Sequence, residues 1–379
     1  MPVPLPAPGA ARLGPPDRAE AQACLDAVRT AIDPGGGPTE LQAVLVEASF
    51  RSLTGHQLDP TGPVDPAGLA AVLADRDEAF RKRIVQMMIL GALVLRPLPE
   101  QVADQVARFA EELAIDDGML AVAHRFATGQ LGLAAFDFER NGYTSDWSAE
   151  RARALHTSEE LQDAWQQSAD DADLARRWQA FEQLPPETLG RRMWEFYAAR
   201  GFAFPGLPGS APPLLAQHDF VHVLADYGTR VESELEVFAF IARANDDPRG
   251  FSLLAMVVSL FETGYLATGA GLFESFPGQL SQEGMAVRLA DALRRGALSH
   301  GLGGAPDVDL LGTDWFELAE RPVAELREAF GVVAKAPEAV AAGSVGPWDH
   351  GGISPFQFES AQQRAAEEGR AYDAYGASP

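Results

Sequence analysis

The chain has 379 residues, 46% of them hydrophobic, and its 54 acidic and 30 basic side chains give a formal net charge of −24. That length asks for more than one small core, and the acidity argues against nucleic acid and against long-range attraction to anionic lipid head groups. The single cysteine, Cys24, excludes an intramolecular disulfide and a thiolate-rich zinc knuckle, and fits a reducing, cytoplasmic setting.

The proline-rich start, MPVPLPAPGAARLGPPD, lacks the charged and apolar regions of a signal peptide, so residues 1–16 are expected to form a disordered leader. Helical patterning then dominates. Asp75 and Asp77 precede a helical run from Phe80 to Leu95. RPLPEQ (96–101) breaks that run and starts the next helix, because proline suits a first turn. Val102, Val106, Phe109 and Leu113 recur at spacings of four, three and four, one face of that helix. These helices are assigned to an N-terminal helical domain over 17–141. The pair 78–115 resembles the small TerB-like helical bundle. The acidic turn that gives such bundles their metal-binding idea is replaced here by LRPLPEQ, so packing or docking is the expected role.

FERNGYTSDWSAE (138–150) reads as a loop and a new helix start. Residues 142–183 form a charged helical connector, with Trp165 and Trp178 as anchors. LPPETLG (184–190) opens a second domain, with Thr188 near a helix start. Further helices are expected at about 211–227, 230–245, 250–266 and 281–298. The longest uncharged apolar runs, MMILGALVL and FSLLAMVVSLF, fall short of the ~20 residues that span a bilayer. Any membrane contact would be peripheral and apolar. No series of alternating strands is found, so the fold class is all-α.

LAQHDFVHVLADYGTRVESELEVF (215–238) carries the functional argument. On a helix, i and i+4 share a face, so His218 and His222 could aim at one ion, the spacing of the two zinc histidines in HExxH proteases. Asp219 stands where that motif has its glutamate and could ligate, orient a ligand or act as a general base. Gly228 could let the chain turn so that Glu234 returns to the ion. The spacing alone also fits an ordinary polar helix. The flanks favour an ion: Leu214, Leu215, Val221 and Leu224 surround the pair, and Leu235, Val237, Phe238 and Phe240 surround Glu234. Ionisable groups buried there need a partner. His56, His124, His156, His300 and His350 lack ligand spacing.

HDFVHVLADYGTRVESE matches HDxxH-x11-E and resembles the Coq4 family of ubiquinone-biosynthesis proteins. LPPETLGRRMWEFYAARGF (184–202) and WFELAERPVAELREAFGV (315–332) resemble that family's first helix and terminal segment in the same order. The resemblance spans 184–332, which becomes a Coq4-like metal-binding domain beside the N-terminal bundle, with 333–379 as a C-terminal tail that packs back or binds a partner. It implies His218, Asp219, His222 and Glu234 as ligands of a divalent metal, zinc first, with iron or manganese if the reaction is oxidative. It implies a prenylated aromatic or quinone-like substrate, replacement of the ring C1 carboxyl by hydroxyl, and quinone-biosynthesis proteins or a second copy of the chain as partners. Asp219 and Arg230 are the expected catalytic residues. Arg230 would grip a substrate carboxylate or, alternatively, pair with Glu232 or Glu234. The apolar stretch 251–276 could line a prenyl channel, with Glu262 and Tyr265 facing it, or be plain core. The family usually has an aromatic at Val221 and glycines at Asp226 and Ser233; Asp226 would add a carboxylate near the site. Rival readings are a metal-dependent hydrolase and a non-catalytic lipid-binding scaffold in which an ion only ties two helices.

Overall fold

A computed structural model describes residues 16–130, 149–157, 171–211, 213–244, 249–263, 277–305 and 308–379. Residues 1–15 of the expected leader, Trp165, Tyr265 and the far half of 251–276 lie outside them. Among the described residues the fold is helical throughout, with two isolated β-bridges and no strand. No described helix is long and apolar enough to cross a membrane.

The N-terminal helices are α1 (Arg18–Ala31), α2 (Glu40–Thr54), α3 (Pro66–Val72), α4 (Glu78–Leu93), α5 (Glu100–Glu112) and α6 (Gly118–Ala127). Their starts follow side-chain chemistry: Asp17, Asp65, Asp77 and Asp117 each accept a backbone N–H of the first turn. Thr39 and Gln42 form a reciprocal capping box on α2. The Gln42 amide then donates to the carbonyls of Ile32 (2.8 Å) and Gly91 (2.9 Å), tying the end of α1 to α4. The stripe Val102, Val106, Phe109 and Leu113 is buried, as its period requires.

The connector contributes α7 (Ala149–Ala154) and α8 (Ala172–Gln179), and a 3₁₀ turn (Ala180–Gln183) leads into α9 (Leu189–Arg200). Trp178 is an anchor, fully buried against Tyr197, Phe220, Phe181 and Phe316. Thr188 caps α9, whose first N–H groups are also satisfied by the carbonyls of Arg321 and Ala319.

The site-bearing helices follow: α10 (Pro213–Ala225), α11 (Val231–Ala244), α12 (Arg249–Val258, continued by a π turn over Ser259–Thr263) and α13 (Met285–Leu298). Every residue of α11 from Ser233 to Ala244 is buried, which makes it the central helix. It packs against α10, α12 and α13. α13 in turn lies along α2, where the Ser52 hydroxyl donates to the Ala290 carbonyl at 2.9 Å, and α12 packs on α4, where Arg83 stacks over Phe251. The N-terminal helices and the histidine-bearing helices therefore share one apolar core.

The short α14 (Trp315–Leu318) and the Pro322-led α15 (Val323–Ala329) follow, then α16 (Pro337–Ala341) and α17 (Pro355–Glu367). The C-terminal segment packs back on the body. α17 lies against α9, and the Tyr372 hydroxyl donates to the Ala199 carbonyl at 2.8 Å. Gly228 N–H donates to Val345 O (3.0 Å) and Thr229 N–H to Gly352 O (3.1 Å).

Candidate metal centre

The turn between α10 and α11 decides which side chains meet. α10 ends at Ala225, and Asp226 takes a left-handed conformation at φ 65°. Tyr227 N–H reaches back to the His222 carbonyl at 3.0 Å, a helix-ending bond that such a residue permits. Aspartate tolerates this region, in which glycine is at ease, at modest cost. The Asp226 carboxylate faces Arg327 (3.5 Å) and Lys335 (3.6 Å) and spends its charge on them. Gly228 has a different role from the one the sequence suggests. Its φ is not positive; instead, an added Cβ would lie 2.9 Å from the Gly352 backbone. The turn is made at Asp226, and Gly228 is bare because the C-terminal segment passes over it.

The reversal places His218 and His222 of α10 opposite Glu234 of α11. All three are buried, with exposures of 1%, 0% and 2%. His222 Nε2 lies 3.0 Å from His218 Nε2, and Glu234 Oε2 lies 3.2 Å from His218 Nε2 and 3.4 Å from His222 Nε2. The other ring nitrogens face carbonyls, His218 Nδ1 that of Leu215 at 2.6 Å and His222 Nδ1 that of Tyr227 at 3.2 Å. A carbonyl only accepts, so each Nδ1 carries the hydrogen. The neutral imidazoles then turn two Nε2 lone pairs on each other and on a carboxylate oxygen. Three acceptors at that spacing repel unless a cation sits among them.

A proton can serve. Burial pulls the His218 pKa down, but the Asp219 and Glu234 carboxylates outweigh it and hold it at about 9. Burial likewise pushes Glu234 up, yet His222 and His218 bring it down to about 2. A divalent ion suits the same place. Donors about 2.0–2.2 Å from a common centre at tetrahedral angles are separated by roughly 3.3–3.6 Å, near the spacings found. Glu234 Oε1 is buried and has no hydrogen-bond partner, which leaves the carboxylate a further lone pair to give. Both Nδ1–carbonyl bonds are of the kind that orient metal-bound imidazoles.

Asp219 joins from the side. His218, Asp219 and His222 have donor atoms within 4.8 Å of one another, so this buried trio could hold a metal ion. It overlaps the tighter trio with Glu234 through the two histidines. Asp219 Oδ1 lies 3.4 Å from His218 Nδ1, and Oδ2 accepts a 2.7 Å hydrogen bond from the Tyr197 hydroxyl of α9. Burial raises the Asp219 pKa, opposed by both histidines and by Tyr197.

The expected apolar surround is present. Val221, Leu224, Leu235, Val237, Phe238 and Phe240 are buried, Phe238 stacks on His218 at 4.9 Å, and Phe196 leans on His222 at 5.6 Å. The side chain of Leu214 lies outside the described residues. Arg230 makes no ion pair with Glu232 or Glu234; its guanidinium lies beside Gly351 of the C-terminal segment, and its Nε is buried without a partner. Glu262 accepts three backbone N–H groups, from Gly278, Gln279 and Leu280, so its carboxylate braces a loop.

Two residues with no sequence signal complete the surroundings. Tyr197 is one. The other is Arg200, fully buried, with Nε donating to Thr229 Oγ1 (2.9 Å) and Nη2 to the carbonyls of Pro347 (2.9 Å) and Gly352 (2.8 Å). Burial lowers its pKa to about 9, against the opposing pull of Asp219 and Glu234.

No family model and no curated protein matches the chain. Among solved structures it is similar to a Nostoc punctiforme protein provisionally assigned to ubiquinone biosynthesis, at 18% identity and a TM-score of 0.29, over 68% of this chain and 99% of that one.

Proposed function

We propose that the chain is a metalloprotein in which His218, His222 and Glu234, with Asp219 beside them, hold a divalent cation. The observation that carries this reading is the convergence of two Nε2 lone pairs and a carboxylate oxygen within 3.0–3.4 Å in a buried site. Zinc is the first choice for this nitrogen and oxygen donor set, with iron or manganese if the chemistry is oxidative. The order HDxxH-x11-E supports a place in ubiquinone-type biosynthesis, with a prenylated aromatic substrate that loses or exchanges its ring C1 carboxyl. When bound, the ion would supply Lewis acidity toward a neighbouring carboxylate and phenol oxygen pair. The chain's own contribution is to fix both imidazole tautomers through Leu215 O and Tyr227 O, and to exclude water with Phe196 and Phe238. A cytoplasmic setting, apolar membrane contact and quinone-biosynthesis partners belong to the same proposal.

One observation favours a second reading. All four site residues are at most 4% exposed, as befits an ion that ties α10 to α11 without catalysis.

Elemental analysis of the purified protein, beside a His218→Ala/His222→Ala variant, tests the site. About one equivalent of metal in the parent, lost in the variant, is expected. A parent that takes up no metal after reconstitution overturns the reading. Azide titration of the cobalt-substituted protein separates the two versions: a shift of the visible bands marks an open position, and unchanged bands mark a structural ion.

A further inference from the structure

Asp219 has two oxygens, and the fold treats them differently. Oδ2 accepts the Tyr197 hydroxyl at 2.7 Å, a length that marks a strong bond to a carboxylate. Oδ1 is left 3.4 Å from His218 Nδ1, whose hydrogen already goes to Leu215 O at 2.6 Å. Tyr197 is itself locked. It is fully buried, stacks on Phe204 at 5.3 Å and 12°, meets Phe202 edge-on at 5.6 Å, and rests on Trp178 at 5.5 Å. A hydroxyl held by three rings on one helix therefore fixes the rotation of a carboxylate on another. An Asp219 oxygen lies within 4.8 Å of donor atoms of His218 and His222, and the oxygen that Tyr197 leaves free is the one available to that cluster.

From this geometry, and resting on the metal reading above, we infer that Tyr197 is a positioning residue whose hydroxyl reserves one Asp219 oxygen, so that Asp219 supports the metal cluster through a single oxygen. A tyrosine there only to fill space would need no bond to Asp219. Its hydroxyl could be removed at a cost in stability alone.

The test is Tyr197→Phe in the full chain, loaded with cobalt(II) and read by its visible ligand-field bands and by competition with a chelator. The bands are expected to move, and metal affinity to fall by about 10- to 100-fold, the usual effect of losing a group that orients a ligand. Phe204→Leu is the control. It removes a stacking partner and leaves the hydroxyl, so it should lower thermal stability and leave the bands in place. Tyr197→Phe with the bands and affinity of the parent overturns the inference and leaves the metal site standing. A parent that binds no cobalt defeats the metal reading and this inference with it. If Tyr197→Phe does not fold, 3-fluorotyrosine at position 197 keeps the ring and strengthens the donor. It must then shift the same bands, and unchanged bands count as refutation.

Discussion

Metal binding should expel a proton, and its size can be worked from the site. Without metal, the cation between the lone pairs of His218, His222 and Glu234 is a proton, held by a His218 pKa of about 9. At pH 7 roughly one molecule in 100 then has His218 neutral. A metal ligand must be neutral imidazole, so the ion competes with that proton. Apparent affinity should rise about tenfold per pH unit from pH 7 to 9, about 100-fold in all, and level off above. The assay is chelator competition at fixed free metal, corrected for the chelator's own protonation. Calorimetry in two buffers of different ionisation enthalpy counts the protons directly, with about one expected per ion at pH 7. A flat affinity over this range, with no proton released, is the contrary outcome. It would mean that the two Nε2 atoms do not share a cation in the metal-free protein.

Other outcomes follow from the same contacts. In the metal-free protein, the stabilisation from raised His218 is complete below its ordinary pKa of 6.5 and is lost as pH rises through about 9. Depressed Glu234 contributes above 4.5, and its share is lost as pH falls through about 2. Thermal melting in chelator should therefore weaken from pH 6.5 to 9, and metal loading should remove that alkaline loss; melting that strengthens with pH would reverse the sign. Gly228→Ala places a Cβ 2.9 Å from the Gly352 backbone and should cost about 1–3 kcal/mol in denaturant unfolding; an unchanged midpoint would show that the C-terminal segment does not bear on the turn. Arg200→Met strips Thr229, Pro347 and Gly352 of a buried donor and should cost about 1–3 kcal/mol for each buried acceptor left bare, by the same measurement. A loss under about 1 kcal/mol would place that guanidinium in solvent.

What the sequence makes legible is what repeats locally. The i, i+4 spacing of His218 and His222 is a property of one helix, and both rings do point one way. Helices expected at about 211–227, 230–245 and 281–298 are found at 213–225, 231–244 and 285–298. The helix starts at Asp77 and Thr188 follow capping chemistry that a few adjacent residues carry, and Pro322 leads α15 without a side-chain cap. The return of Glu234 needed only a short turn, though its hinge is Asp226 rather than Gly228. Contacts made across the chain leave no such mark. Arg200 meets Pro347 and Gly352 about 150 positions away, and nothing in WEFYAARGF distinguishes that arginine from a surface one. Tyr197 reads as one more apolar residue of α9, because its partner lies on another helix. Arg230 shows the converse: its sequence neighbours Glu232 and Glu234 suggest ion pairs, but Glu234 turns to His218 and His222 and the guanidinium lies beside Gly351.

Each donor of the candidate centre is steadied by a different part of the chain. His218 is held by its own helix through Leu215 O and by Phe238 of α11. His222 is held by Tyr227 O, on the turn that the C-terminal segment covers through Gly228 and Thr229. Asp219 is held by Tyr197, which leans on Trp178 of the connector. Segments on both sides of the motif thus converge on one cluster of a few atoms. An ion bound there would draw on all of these supports at once, so any free energy it gains from an ordered turn returns as stability of the docked C-terminal segment. The same reciprocity explains why a motif of only seventeen residues needs so much of the chain around it. The motif supplies the donors, and the distant segments remove their freedom to point anywhere else.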